Sequence, residues 1–447
     1  MPQLTLTTLP REILGMVVKN LSPFRSTSNL EKPEDDHTTQ AKQHALWALS
    51  KTCKPLKEAT EPFLFEDIDP STIGVFCAHA SRDPNVFKLA KSLDCTYSLS
   101  FRVASFFEQE LSKLGVDLIA EEDDNDEDLR ETKIVSQAMV VLATNLQRIN
   151  YNMEAIETDP WTNDILSRWF RELEPERGLP NLRWLTFTSG FNYMGFDCSD
   201  VGQAVLMGAA PNLERLRLES QNYATYRFDN TAHATRYLDK ISPCLANLRV
   251  LELSDIAIVN QDLYMNYFRD FLERCPKLET LVIERATPSM TATHRVEGGP
   301  GSESWPEPWP AQLLEACLPV SRTIECLEFL WQSEQETRQG LASCFRRDQL
   351  LQFKQLRTLI VHERCFCRKF IELEPEDLDM GLVDMLPPFV ESLVVVCDED
   401  KTDMGDVEAL IARVEEFPAL REISEHGHYS DLDGHWRDQR KLLWKRE

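Results

Sequence analysis

Leu248-Arg249-Val250-Leu251-Glu252-Leu253 is the stretch that decides the fold. Its Leu251-Glu252-Leu253 alternation has the period of a strand, which sets both leucines on one face and Glu252 on the other. The pattern Leu-x-x-Leu-x-Leu recurs, with conservative variants, on both sides of it. Upstream lie Leu146/Ile149/Tyr151, Leu182/Leu185/Phe187 and Leu213/Leu216/Leu218. Downstream lie Leu278/Leu281/Ile283, Ile324/Leu327/Phe329, Leu356/Leu359/Val361 and Val390/Leu393/Val395, with Leu420/Ile423 as a fraying last copy. The starts are separated by 36, 31, 35, 30, 46, 32, 34 and 30 residues. One such copy is an accident in a leucine-rich chain, but this many at similar spacing are a repeat, looser than a standard leucine-rich repeat of roughly 20–29 residues.

The intervals are helical in pattern, as in residues 262–274 with Leu263, Phe268, Phe271 and Leu272. A strand, a crossover and a parallel strand coil right-handedly. No unit buries its apolar face alone, so the units stack as an α/β solenoid, a leucine-rich-repeat-like horseshoe over residues 69–425. The residues alternating with the core leucines face the other way. Among them are Trp184, Arg215, Arg217, Glu219, Glu252, Glu284, Glu328 and His362. They are the candidate target-binding face. The four glutamates are predicted to form an offset acidic stripe, since adjacent strands lie about 4.8 Å apart. Such a stripe favours a target protein carrying a basic segment.

Ahead of the repeats stands Leu9-Pro10-Arg11-Glu12-Ile13-Leu14, which starts a helix predicted over residues 12–21. Proline suits a first helical turn, and Glu12 meets the positive end of the helix dipole. Ile13, Leu14, Val17 and Leu21 follow at helical spacing. After a polar stretch, residues 22–42, the apolar rhythm returns through Leu46, Leu49, Cys53 and Leu56. A third run, residues 61–68, passes from helix to strand. The hexapeptide, then Leu49-Ser50-Lys51-Thr52-Cys53-Lys54-Pro55-Leu56, then Ala59, Pro62 and Phe65, together resemble an F-box. More narrowly, they look like the F-box proteins of filamentous fungi that carry irregular leucine-rich repeats. The polar stretch at residues 22–42 is long for that module.

The resemblance implies an N-terminal helical F-box module, residues 1–68, with residues 22–42 as an inserted loop. It also implies docking on a Skp-family adaptor, and through it on a cullin–RING ubiquitin ligase. The adaptor-binding residues would be Leu9, Pro10, Glu12, Ile13, Leu14, Val17, Leu21, Leu49 and Leu56. On this expectation the chain is a substrate receptor and not an enzyme. The rival is an interaction scaffold whose F-box acts outside ubiquitin transfer.

Composition narrows the alternatives. With 447 residues, 42% of them hydrophobic, the chain is globular and too long for one compact domain. A net charge of −26 argues against a phosphate-tracking nucleic-acid surface, which needs a basic patch, and disfavours anionic membranes. No run is long and apolar enough for a membrane span. Met1-Pro2-Gln3-Leu4-Thr5 lacks the pattern of a signal peptide, so the expected location is the cytoplasm, the nucleus or both. The 12 scattered cysteines predict reduced, buried thiols.

Two insertions stand out. Residues 121–131 are acidic, and Asp124, Asp126 and Asp128 alternate like calcium ligands. Leu129 stands where that loop needs glycine and Val135 where it needs glutamate, so the reading is a solvated insertion. Residues 286–310 are rich in Gly and Pro, with Trp305 and Trp309 among them. Residues 426–447 form a capping segment, with Trp436, Gln439, Arg440 and Leu443 at helical spacing. No phosphate loop, dinucleotide fingerprint, His-Glu-x-x-His or Gly-x-Ser-x-Gly occurs. His362, Cys365 and Cys367 fall one ligand short of a structural zinc site. No cofactor, metal or catalytic residue is therefore expected, and Cys365 and Cys367 are the sole candidates for an enzymatic reading.

Overall fold

The computed structural model describes residues 10–21, 36–70, 72–95, 104–116, 127–152, 165–171, 178–189, 201–220, 234–254, 262–285, 310–331, 345, 347–366, 381–397, 404–427 and 439–446. The chain divides into residues 1–188 with 201–213, and residues 189–200 with 214–447. None of the described helices is long and apolar enough to cross a membrane.

The first unit begins with helices α1 (Arg11–Lys19), α2 (Asp36–Ser50) and α3 (Lys54–Leu64). Strand and helix then alternate through β1 (Asp67–Ile68), α4 (Ile73–Ala80), β2 (Ser92–Cys95), α5 (Ala104–Lys113), α6 (Glu127–Leu142) and β3 (Arg148–Asn152). The unit closes with α7 (Ile165–Arg171), β4 (Trp184–Ser189) and α8 (Val201–Gly208). Strands β1 to β4 pair in parallel and in chain order. Ile68, Leu93, Ile149 and Leu185 stand in one row across them, all buried. Phe65, Phe76, Phe87 and Phe107 continue that core as edge-to-face ring pairs 5.4–6.0 Å apart.

The second unit runs β5 (Arg215–Ser220), α9 (Ala234–Leu245), β6 (Val250–Ser254), α10 (Asp262–Glu273), β7 (Thr280–Arg285), α11 (Pro310–Ala316) and β8 (Cys326–Trp331). It continues with α12 (Arg347–Leu350), β9 (Thr358–His362), α13 (Leu382–Met385), β10 (Ser392–Cys397), α14 (Met404–Ala412), β11 (Glu422–Gly427) and β12 (Gln439–Lys445). Strands β5 to β11 are parallel and in chain order. Leu216, Leu251, Leu281, Leu327, Leu359, Leu393 and Ile423 form one buried row. Every core position of the predicted repeats is buried in both units. The strand–helix repeat with one apolar face is therefore the architecture of each unit.

A second periodic feature lies at the first variable position of the motif. There one carbonyl accepts two successive N–H groups of the next strand. Glu214 takes those of Arg249 and Val250 at 2.8 and 3.0 Å, and Arg249 takes those of Glu279 and Thr280 at the same distances. The side chains of this column pair across strands. Arg249 donates to Glu279 through Nε at 3.0 Å and Nη2 at 2.6 Å. Glu391 lies between Arg357 at 3.3 Å and Arg421 at 3.4 Å. In the first unit Lys91 meets Glu66 at 2.5 Å. The solvent-exposed pairs of this column, Arg249–Glu279 and Arg357–Glu391, add up to about 1 kcal/mol each. Register is held by the leucines themselves, because a one-residue slip would turn every one of them outward.

Several expectations change. Residue 68 is not a boundary between units: Ile68 pairs with Leu93, and Phe65 contacts both Trp47 and Phe76. The apolar run through Leu46, Leu49, Cys53 and Leu56 is divided between α2 and α3, which break at Thr52-Cys53, with Pro55 in the first turn of α3. Residues 36–42 of the expected loop belong to α2, because a polar run can still be helical. Residues 127–131 of the acidic tract likewise open α6. Pro310 starts α11 instead of ending a loop. Residues 439–445 form a strand antiparallel to β11, not a helix, since the edge of β11 supplies backbone partners that a solvent-facing helix does not need. Residues 22–35, 121–126 and 286–309, with Trp305 and Trp309, lie outside the described residues, as do Leu9, Cys367 and Trp436.

Candidate functional site

Helix α1 is built to show two faces. Pro10 precedes it, the Pro10 carbonyl accepts the Leu14 N–H at 2.9 Å, and Lys19 closes its last turn. Leu14 and Val18 turn inward, and α1 packs on α3, where Leu56 and Leu64 are also buried. Ile13, Met16 and Val17 are 44%, 63% and 37% exposed, and Pro10 and Glu12 are exposed beside them. Spacing of three and four residues places these apolar groups on one stripe. Leu21 and Leu49 are half-buried. Leu14 and Leu56 leave the expected adaptor-binding set, because each is only 4% exposed and holds the module together. Met16 joins it. Sequence spacing placed Met16 one residue from Val17 but assigned it no role.

The outer face of β5 to β8 is the second candidate. Strand pairing sets Arg217, Glu252, Val282 and Glu328 in one row, and Glu219, Ser254, Glu284 and Leu330 in the next. The glutamates are therefore not neighbours within a row. Arg215 hydrogen-bonds Glu252 through Nη2. Arg217 Nη1 lies 3.8 Å from the other Glu252 oxygen, and Arg217 Nε lies 3.0 Å from Glu219. Ser254 donates its hydroxyl to Glu284 at 3.0 Å. What strand parity predicts as an acidic stripe is a charge-compensated cluster on β5 and β6, followed by the carboxylates of Glu284 and Glu328 on β7 and β8.

Burial removes other members of the predicted face. Arg215 and Glu252 are both buried and serve as each other's partners. Trp184, in the first unit, is buried with the Arg148 guanidinium 4.6 Å from its ring centroid, so that ring face is already taken. His362 is fully buried. Val394 and Val396 on neighbouring β10 are also buried, so β10 is enclosed on both faces, and the 3₁₀ turn Glu363–Cys365 packs against it. The accessible members of the predicted face are Arg217, Glu219, Glu284 and Glu328.

Thiol chemistry finds little support in the geometry. Burial pushes the Cys77, Cys95, Cys244 and Cys326 thiols up to about 12, far from the thiolate a nucleophile requires. Cys365 is buried. Among the described residues no three His, Cys, Asp or Glu side chains gather as a metal site.

No family model matches the sequence, and no curated protein matches it. Among solved structures the chain is similar to an internalin from Listeria monocytogenes, with 13% identity and a TM-score of 0.27 over 66% of this chain and 70% of that one. That likeness is too slight to bear on fold or function, which rest here on the chain's own strand register and burial.

Proposed function

We propose that the chain is a non-enzymatic interaction protein that docks a Skp-family adaptor through α1 and holds a target protein on the outer face of β5 to β8. In this reading it is the substrate receptor of a Skp–cullin–F-box ubiquitin ligase. The observation that carries the proposal is the apolar stripe of Pro10, Ile13, Met16 and Val17, left exposed on a helix whose other side is core. Apolar anchors of this kind supply most of the energy of protein interfaces. The F-box resemblance of residues 9–65 supports the identity of the occupant. The target surface is supported by Glu284 and Glu328, whose carboxylates suit a Lys- or Arg-bearing segment. The receptor acts by proximity: tethering target and ligase on one chain raises their effective concentration.

The test uses the full chain and a recombinant Skp-family adaptor. Ile13→Asp with Val17→Asp places charge on the exposed stripe, and in a chain whose melting matches the parent's, adaptor co-purification should be lost. Leu9→Ala with Pro10→Ala should act in the same direction. Undiminished co-purification by a folded Ile13→Asp/Val17→Asp chain overturns the adaptor assignment. Accumulation of a captured target when the ligase is blocked separates a receptor from a scaffold that works outside ubiquitin transfer.

A further inference from the structure

Strand β12 is the last in its sheet and is paired on one side only, antiparallel to β11. Its far edge presents backbone N–H and C=O groups with no strand beside them among the described residues. Such an edge is a template for another chain. The strand reads Gln439-Arg440-Lys441-Leu442-Leu443-Trp444-Lys445, with three cations and no acid, in a chain of net charge −26. Its register against β11 is unbroken from Gln439 to Leu442 and then shifts by one residue. Within the regular part Lys441 is exposed and Leu442 is 55% exposed. Lys441 lies 3.7 Å from Glu425 with 74% of its side chain in solvent, a pair that an incoming carboxylate displaces at little cost.

We infer that the outer edge of β12 accepts an acidic, extended segment of another protein as an added strand. Main-chain hydrogen bonds would supply the affinity, and alternate side chains the selectivity. The charges choose between occupants. A second copy of this chain, pairing edge to edge, would set these cations against their own kind, which disfavours cross-strand pairing. A strand bearing Glu or Asp meets them with opposite charge. This surface is distinct from α1 and from the outer face of β5 to β8, so the inference stands apart from the proposed adaptor and target sites.

The test measures fluorescence anisotropy of labelled seven-residue peptides with the full chain. The probes are alternating Glu-Val, alternating Lys-Val, and the Glu-Val peptide N-methylated at every second residue. The Glu-Val peptide should bind, and the Lys-Val and N-methylated peptides should not. Lys441→Glu with Lys445→Glu should weaken the Glu-Val peptide by about tenfold or more, the equivalent of one decade in Kd. Absence of Glu-Val binding overturns the inference. So does equal binding of the N-methylated peptide to the unaltered chain, which would mean charge attraction without strand pairing. Self-association of the chain that Lys441→Pro abolishes would assign the edge to a second copy and overturn it as well.

Discussion

Glu252 sits between two arginines on the outer face of β6, and replacing it tests whether this face is a structural network or an open binding surface. The perturbation is Glu252→Gln, which keeps size and removes charge. The Glu252 side chain is 12% exposed and its partner Arg215 is 8% exposed, so the pair is largely desolvated. Removing one member of a buried pair leaves the other charge uncompensated, at a cost of about 3–5 kcal/mol. Arg217 is itself a cation and supplies no replacement charge, but the Gln carboxamide oxygen can still accept from Arg215. We take the lower end, about 3 kcal/mol. For a unit of 150–250 residues, 1 kcal/mol moves the melting temperature by roughly 2–4 °C. The expected fall for the second unit is therefore about 6–12 °C. Glu252→Lys should cost more, since it brings three cations together. The assay is calorimetric melting with a double-mutant cycle. Arg215→Met with Glu252→Leu should recover much of the loss, because a buried pair can often be exchanged for apolar groups. Melting of Glu252→Gln within about 1 °C of the parent chain would refute the reasoning. The same geometry selects the clean probes of target capture. Glu284→Lys and Glu328→Lys change the accessible carboxylates without breaking the Arg215 pair.

Other expectations follow from the same geometry. Leu251 is fully buried in the central row of the second unit, so Leu251→Ala should cost about 2–5 kcal/mol, read by denaturant unfolding; a loss under about 1 kcal/mol would place that row outside the core. Burial raises the Asp67 carboxyl above its ordinary value, against the opposing hydrogen bond from Ser92 and the charge of Arg148. The folded chain thus keeps this proton to higher pH than the unfolded one. The resulting stability is fully present below the unfolded carboxyl's range, near ~3.9, and is lost as pH rises through the folded value. Asp67→Asn should therefore gain in melting temperature on the parent chain as pH rises, and a difference independent of pH would contradict this. Cys53 is only half-buried, whereas Cys95, Cys244 and Cys275 are buried with raised thiols. Alkylation followed by peptide mapping should label Cys53 in the native chain and the other three only on unfolding. Native labelling of Cys244 would show that its burial is not maintained.

Periodicity along the chain was enough to place the repeat. Leu251, Leu281 and Leu327 could be assigned to one buried row because alternation is a local property and burial of leucine is its direct consequence. Helix α1 was legible for the same reason: Pro10, Glu12 and the spacing of Ile13, Leu14 and Val17 act within one or two turns. Pairing between distant residues was not legible. Arg215 and Glu252 lie 37 positions apart, and only the parallel register of β5 and β6 brings their charges together. That pairing turned an expected acidic stripe into a compensated network. Local pattern also could not divide the apolar face of α1 into its buried side, Leu14 and Val18, and its exposed side, Ile13, Met16 and Val17, because the division is made by α3. The strand at residues 439–445 carries a helix-like spacing, and the open edge of β11 overrides it by offering backbone partners. His362 shows the same limit. Strand parity turned it away from the leucines, and only the packing at the end of β9, beside Val394 and Val396 of β10 and the turn Glu363–Cys365, decided that it is buried.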